Sequence, residues 1–144
     1  MYNFILASQP KSYNARKSDA YQRRIKAAFL TAYPVHHLID HDLYGLVYHF
    51  YKVDIGIDAD NISKLVWDSL TGVAFVDDSQ VKLRVAGSFD LSSTDLVTLD
   101  FSGLTKETID SLLGAIESED HVLYIECGEF SMNLIRLNLE SNGN

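Results

Sequence analysis

Two periods of apolar and polar residues along the chain predict an α+β domain. Stretches rich in β-branched and aromatic residues predict strands, and apolar residues spaced three and four apart predict helices. The predicted strands cover about residues 2–7, 43–53, 80–87, 96–101, 122–127 and 132–139, with the last two joined near Gly128. The predicted helices cover about residues 18–33, 61–70 and 106–117. This order predicts a β-α-β-α-β core, a small mixed sheet with helices packed on it, followed by a C-terminal α/β extension.

The helix over residues 61–70 carries the polar residues of greatest interest. Asp60 is expected to be its N-cap, because a carboxylate accepts hydrogen bonds from the first backbone amides of a helix. The side of this helix that faces away from the core is predicted to carry residues that recur at three and four positions: Asp60, Lys64, Trp67 and Asp68. In the preceding strand, Gly45 is expected to mark a β-bulge or a close approach of another segment.

Composition narrows the classes of protein. The chain has 144 residues of which 47% are hydrophobic, which is enough for one domain with a core. No apolar run approaches the ~18 residues of a membrane-spanning helix, and the start of the sequence lacks the basic and apolar regions of a secretory signal. Cys127 is the single cysteine, so an internal disulfide is excluded and a reducing compartment is expected.

Charge is distributed unevenly along the chain, although the formal net charge is -8. Residues 1–87 hold 10 basic and 9 acidic residues, whereas residues 88–144 hold 2 basic and 11 acidic residues. This asymmetry predicts a functional core over residues 1–87 and an acidic extension over residues 88–144. We expect the extension to pack on the core or at a dimer interface.

One stretch concentrates carboxylates beside a lysine. Asp58-Ala59-Asp60-Asn61-Ile62-Ser63-Lys64 stands where a strand is predicted to lead into a helix, and Asp77-Asp78-Ser79-Gln80 follows that helix. Hard divalent cations such as Mg2+ prefer oxygen ligands and need few of them from the protein, so a metal site for phosphodiester cleavage is one interpretation. The alternative is structural: Asp60 caps the helix, Asp77 and Asp78 form a turn, and Lys64 pairs with a neighbouring carboxylate.

Other polar residues have a simpler interpretation. His36, His37 and His41 share a loop, but without a cysteine or a helical spacing they favour a solvated loop over a metal site. Lys82 and Arg84 lie on one predicted face of the strand 80–87, where they are solvated or contact a phosphate backbone.

These motifs resemble the signature of the RusA-type Holliday-junction resolvases, which are small dimeric endodeoxyribonucleases. The resemblance rests on Asp58 to Lys64, Trp67-Asp68-Ser69-Leu70-Thr71-Gly72, and Val76-Asp77-Asp78-Ser79-Gln80-Val81, with a looser match at Pro10 to Arg16. It covers about residues 2–87. The sequence departs from the family pattern in two places. Gly56 and Ile57 precede the Asp-x-Asp, where the family commonly has arginines, and Gly87 closes the following strand, where it often has a lysine.

The resemblance implies a Mg2+- or Mn2+-dependent homodimer that nicks four-way DNA junctions symmetrically, in the cytoplasm of a bacterium or encoded by a phage. It implies that Asp58, Asp60 and Asp78 hold the metal and that Lys64 completes the catalytic set. Asp68 is then expected to orient Lys64. Candidate contacts with the DNA backbone are Lys11, Arg16, Lys17, Arg23, Lys82 and Arg84.

Two other functions stay open from the sequence. The chain could be a non-catalytic interaction module on the same fold, whose acidic second part binds a basic protein. It could also be a nuclease whose substrate is another branched DNA or RNA.

Overall fold

A computed structural model of the chain describes residues 1–11, 18–92 and 99–138. These ranges hold four strands and three α-helices. In chain order they are β1 Tyr2–Leu6, α1 Ser18–Ala32, β2 Leu43–Tyr51, α2 Ala59–Leu70, β3 Val81–Asp90, α3 Lys106–Ser118 and β4 His121–Glu129. The predicted α+β class and the β-α-β-α-β order of the first five elements are confirmed, and the dimer stays a prediction. None of the described helices combines the length and apolarity that a membrane span requires.

The four strands form one mixed sheet in the order β1-β4-β2-β3. β2 and β3 are parallel, and α2 is the crossover that joins them, because parallel neighbours need such a connection. β4 is antiparallel to both of its neighbours, β1 and β2. The boundary expected at residue 87 falls inside β3, and the acidic second part of the chain supplies β4, an internal strand of the sheet.

The two faces of the sheet carry separate hydrophobic clusters. On one face, α1 and α2 pack over residues such as Phe4, Val47 and Ile125. On the other face, α3 packs over Phe50 and Val122. Neighbouring residues of one strand serve opposite clusters because side chains alternate along a strand. The sheet is therefore covered on both sides, as the apolar residues in both phases of β2 require.

The C-terminal strand predicted over residues 132–139 is wrong for the part that the structure describes. Met132–Leu134 forms a 3₁₀ turn, and Met132 and Leu137 are 72% and 98% exposed. The prediction assumed a hairpin with the preceding strand. β4 cannot form one, because both of its edges already pair with β1 and β2. Half of the strand predicted over 96–101, residues 96–98, lies outside the described residues, and 99–101 are not in a strand.

Gly45 allows α2 to pack closely against β2. The indole of Trp67 lies so near that a methyl group at position 45 would be 2.4 Å from the ring. Trp67 is fully buried, and its Nε1–H donates to the Ser63 hydroxyl at 2.9 Å. The prediction that Trp67 lies on the outer side of the helix is therefore wrong. The close approach predicted at Gly45 is confirmed, and its absent side chain is what makes room for the ring.

We expect Gly45→Ala to lower the free energy of unfolding by about 1–3 kcal/mol, because the added methyl group overpacks the contact with the indole. Urea unfolding followed by Trp67 fluorescence measures the change. Gly103→Ala is the matched control, since a methyl group there meets no atom within 4 Å. Equal stability of the two variants would contradict this account of how α2 is positioned.

Two buried, stacked histidines lie near the end of β2 and at the start of β4. His49 Nε2 is 3.1 Å from His121 Nδ1, and His49 Nδ1 is buried with no hydrogen-bond partner among the described residues. Burial, with a smaller contribution from the charge of His121, lowers the pKa of His49 to about 4. Burial also lowers the pKa of His121, while Asp120 opposes that shift. Both rings are thus neutral at pH 7.

The sign of the pH dependence follows from these lowered pKa values. Between about pH 6.5 and pH 4 the unfolded chain binds more protons than the folded chain, so stability falls as the pH falls. We expect a loss of about 3 kcal/mol over this range, which His49→Leu largely removes. Urea unfolding at several pH values measures it, with the exposed His41→Leu as control. The same slope in wild type and His49→Leu would contradict the assignment.

Candidate functional site

The start of α2 presents two exposed carboxylates. Asp58 is the N-cap, with extended backbone at φ -69° and ψ 150°, and its carbonyl accepts from the Ile62 amide at 3.2 Å. Its side chain makes no capping hydrogen bond. Asp60 lies in the first turn, where its charge suits the helix dipole. The prediction that Asp60 is the N-cap is wrong, because Ala59 is already helical. Because the Asp58 carboxylate makes no capping hydrogen bond, it is available to bind a cation.

A cleft of about 420 Å³ separates the first turns of α2 from the edge strand β3. Asp60, Ser63 and Lys64 line it from the helix, and Arg84 and Ala86 line it from the strand. Lys64 and Arg84 thus come from different elements and line the same cleft as Asp60. Two cations and a carboxylate around an open cleft are suited to a phosphodiester whose charge needs compensation.

Asp77 belongs to the turn that precedes β3. Its backbone N–H donates to Gln80 Oε1 at 2.7 Å, and its carboxylate accepts from the Ser79 hydroxyl at 2.5 Å. The hydrogen bond from Ser79 is the main cause of a lowered pKa of Asp77, and backbone amides contribute. Asp77 therefore stabilises the 3₁₀ turn Asp78–Gln80. The structural interpretation had predicted that the acidic pair forms a turn.

Asp78 faces Arg84 across the start of β3. Arg84 Nη2 is 3.9 Å from Asp78 Oδ2 and donates to the Asp78 carbonyl at 3.4 Å. The two side chains are 38% and 43% exposed, for Arg84 and Asp78 respectively. A pair this open to water contributes little stability. The guanidinium and the carboxylate can therefore exchange partners at small energetic cost.

Asp68 is coupled electrostatically to the same residues. Its pKa is raised, first by burial and then by the negative charge of Asp78, while Lys64 and Arg84 oppose the shift. The half-buried carboxyl thus responds to the charges on both sides of the cleft. Its expected role in orienting Lys64 stays a prediction.

The carboxylates suit a Mg2+ ion individually. Asp58 and Asp60 are exposed, and Mg2+ is commonly held by one or two carboxylates together with waters and substrate phosphates. Within residues 1–11, 18–92 and 99–138, however, no three His, Cys, Asp or Glu residues are grouped as a metal-binding set. The exposed carboxylates of Asp58 and Asp60 have the donor chemistry that the ion prefers. The full set of Asp58, Asp60 and Asp78 stays a prediction.

The predicted DNA contacts are distributed over several elements. Arg84 lines the cleft, Lys82 is exposed on the same strand, and Arg23 is exposed on α1. Lys11 is half-buried before α1, and Arg16 and Lys17 lie outside the described residues. Only Arg84 among these candidates is shown to share the cleft with Lys64.

His36 has a structural role in its loop. Its ring nitrogens lie 2.9 Å from the Tyr33 carbonyl and 2.7 Å from the Val73 carbonyl, and its ring packs edge-on against Phe29. His37 and His41 are exposed, as the prediction of a solvated loop expected, whereas His36 is half-buried.

Ser63 is a cleft residue that the sequence prediction did not single out. Its side chain is buried where the cleft meets the core, and its hydroxyl accepts from Trp67. The signal was present as a serine four residues before a tryptophan, the spacing at which helical side chains meet.

Comparison with known proteins locates the family signal. Residues 4–95 match the family model described as endodeoxyribonuclease RusA. The match includes β1 from Phe4 onward, α1, β2, α2 and β3, with every predicted site residue, and ends before α3 and β4. A search among curated proteins gives no significant match.

Proposed function

Because the chain belongs to the endodeoxyribonuclease RusA family, as the resemblance in its sequence indicated, we propose that it is a metal-dependent nuclease that resolves four-way DNA junctions. The observation that supports this most is the cleft in which Lys64 and Arg84 meet Asp60. It combines an open entrance, positive charge for a phosphate and an exposed carboxylate next to Asp58. The match over 4–95 supplies the substrate class, which the geometry of the cleft alone does not.

We propose that Asp58 and Asp60 would hold Mg2+ or Mn2+, with Asp78 as the third ligand. When bound, such an ion polarises a phosphoryl oxygen and activates water. Asp58 is suited to this role because its carboxylate is not used as a helix cap.

Lys64 has the role of a fixed positive charge. It lies one turn after Asp60 on α2, so a phosphate between the helix and β3 is within reach of its ammonium group. Charge on the phosphoryl oxygens increases toward the transition state, and an ammonium group positioned beforehand stabilises it. We assign Lys64 to this stabilisation.

Arg84 is proposed to exchange one partner for another. In the free protein it contacts the carboxylate and the carbonyl of Asp78. A DNA phosphate carries the same charge and can accept two parallel hydrogen bonds from the guanidinium. Binding of DNA would then free the Asp78 carboxylate to join Asp58 and Asp60 as a metal ligand. Symmetric nicking requires two such sites, so the proposal includes a homodimer.

Arg84→Ala is expected to weaken junction binding about 10-fold and to lower the salt dependence of binding by about one phosphate contact. Fluorescence anisotropy with a labelled junction, measured at several salt concentrations without divalent metal, gives both values. Lys26→Ala is the control, since Lys26 is exposed on α1 and does not line the cleft. Unchanged affinity and salt slope for Arg84→Ala would exclude the phosphate contact.

Competition between substrates tests the substrate class. A labelled four-way junction, a flap and a linear duplex with the same arm sequences are incubated with the folded protein and Mg2+. We expect cleavage of the labelled junction to continue in the presence of excess duplex or excess flap. Preferred cleavage of the flap would assign the same cleft to another branched substrate.

A further inference from the structure

The face of the sheet opposite α1 and α2 contains a second recess, which we call the α3 cavity. It has a volume of about 290 Å³ and is bounded by β2, β4, α3 and the loop before α3. Its walls include Tyr48, Phe50, Phe101, Leu112, Tyr124 and Glu126. None of its lining residues lines the cleft beside α2. Any ligand of this cavity would therefore bind at a site distinct from the proposed nuclease site.

Aromatic rings form much of the wall of the α3 cavity, and some are held by further ring contacts. Phe89 of β3 packs against Tyr48 at 5.6 Å and against Phe50 at 5.5 Å between ring centroids. These contacts restrict the two rings, so the shape of the wall is preorganised. The face of an aromatic ring attracts cations because its π electrons give it a negative potential.

A carboxylate lies in this aromatic wall without an ion-pair partner among the described residues. Glu126 accepts hydrogen bonds from the hydroxyl of Tyr44, at 2.6 Å, and from the hydroxyl of Tyr124. Burial, followed by the hydrogen bond to Glu126, raises the pKa of both tyrosines, so both hydroxyls stay protonated donors. Glu126 forms no ion pair with any residue of the described ranges.

A second carboxylate lies in the lining. Asp100 lines the cavity, and the Ser102 amide donates to its carboxylate at 2.9 Å. Hydrogen bonds from Ser102 lower the pKa of Asp100, so this group is ionised at neutral pH. Among the described lining residues there is no Lys, Arg or His side chain, and the one cationic group is the α-ammonium of Met1. The carboxylates of Glu126 and Asp100 outnumber it, so the cavity favours a cation over an anion.

We propose that the α3 cavity binds a small organic cation, with its ammonium group toward Glu126 and its apolar body against the aromatic wall. Aromatic faces and an unpaired carboxylate are the two features that recognise alkylammonium groups. The volume lies at the lower end for ligand sites, so the ligand has about ten non-hydrogen atoms. This site is independent of the proposed nuclease function, because it shares no residue with the cleft.

The test uses two probes that have the same shape and differ in charge. Benzyltrimethylammonium is the cation, and neopentylbenzene is its neutral isostere. Titration calorimetry with the full-length protein is expected to give one site per chain and at least about 10-fold tighter binding of the cation. No saturable binding of the cation, or equal affinity for the two probes, would overturn the proposal.

Variants locate the probe. Glu126→Gln keeps an oxygen that accepts from the tyrosines but removes the charge, so we expect about a 10-fold loss for the cation and no change for the neutral probe. Phe101→Leu should weaken binding of the cation as well, because the ring face is lost. Glu129→Gln, on the exposed end of the same strand, is the matched control and should bind the cation as wild type does. Undiminished cation binding by Glu126→Gln would overturn the site.

Discussion

Asp60→Asn is expected to reduce junction cleavage by about 100-fold or more while leaving the fold and junction binding intact. The reason is that a metal ligand contributes several kcal/mol of transition-state stabilisation, and each 1.36 kcal/mol is a factor of ten in rate. Asparagine has the same shape and keeps one oxygen, so packing is undisturbed. Single-turnover cleavage of a labelled four-way junction measures the rate, and binding is measured separately without divalent metal.

The control for this variant is an aspartate at the equivalent place in another helix. Asp19 also lies in the first turn of a helix, so Asp19→Asn removes the same interaction of charge and helix dipole. We expect Asp19→Asn to cleave at the wild-type rate. If the two variants cleaved equally well, Asp60 would be a helix-stabilising residue and not a part of the catalytic set.

The acidic pair allows a further comparison within the same experiment. Asp78→Asn should lose activity as Asp60→Asn does, because Asp78 is the proposed third ligand. Asp77→Asn should retain most of it, since an asparagine oxygen can still accept from Ser79 and cap the turn. The reverse order of activities would exchange the roles of the two aspartates.

Truncation after Ser92 is expected to prevent folding altogether. It removes β4, and β1 then has no partner in the sheet, because β4 is the strand that joins β1 to β2. Buried residues lost with β4 include Val122, Leu123, Ile125 and Cys127. Circular dichroism and urea unfolding of the purified fragment measure the result. Each fully buried aliphatic side chain contributes about 1.5–3 kcal/mol, so these losses are comparable with the whole stability of a small domain.

Truncation after Ser131 is the matched control. It removes Met132 to Asn144, of which residues 132–138 are exposed, and it leaves all four strands in place. We expect this variant to unfold with the midpoint of the full chain. A folded, cooperative fragment after truncation at Ser92 would contradict the internal position of β4.

The sequence predicted the elements from local pattern more accurately than it predicted their neighbours. α1, α2, β2 and β4 follow from spacing within each segment, and the structure has them within a few residues. The position of β4 between β1 and β2 depends on pairing between distant residues, such as Phe4 with Ile125, for which no local spacing gives a signal. The charge asymmetry suggested a division near residue 87. Net charge reports on the surface and not on strand pairing, so it gave no sign that β4 lies inside the sheet.

Trp67 illustrates the same limit at the level of one side chain. Its helical spacing relative to Lys64 and Asp68 placed it on the outer side. The structure buries it because Gly45, on a strand 22 positions earlier, leaves a space that only the indole fills. The type of residue at a distant position therefore decided that the buried side of α2 extends to Trp67. Periodicity within the helix alone does not contain that information.

The candidate site was predictable as a list of residues but not as an arrangement. The carboxylates, Lys64 and Arg84 were all identified from the sequence. The ion pair of Arg84 with Asp78 and the role of Asp77 in its turn required coordinates, since they depend on how β3 begins. The proposed exchange of Arg84 from Asp78 to a phosphate follows from that arrangement.

The most direct test of the nuclease assignment is the cleavage of a labelled four-way junction by the folded protein in Mg2+. We predict paired nicks at symmetric positions in wild type, no cleavage of a linear duplex with the same sequence, and no nicks with Asp60→Asn. An intact junction after incubation with folded wild-type protein, across a range of salt and with Mn2+ as well as Mg2+, would contradict the assignment.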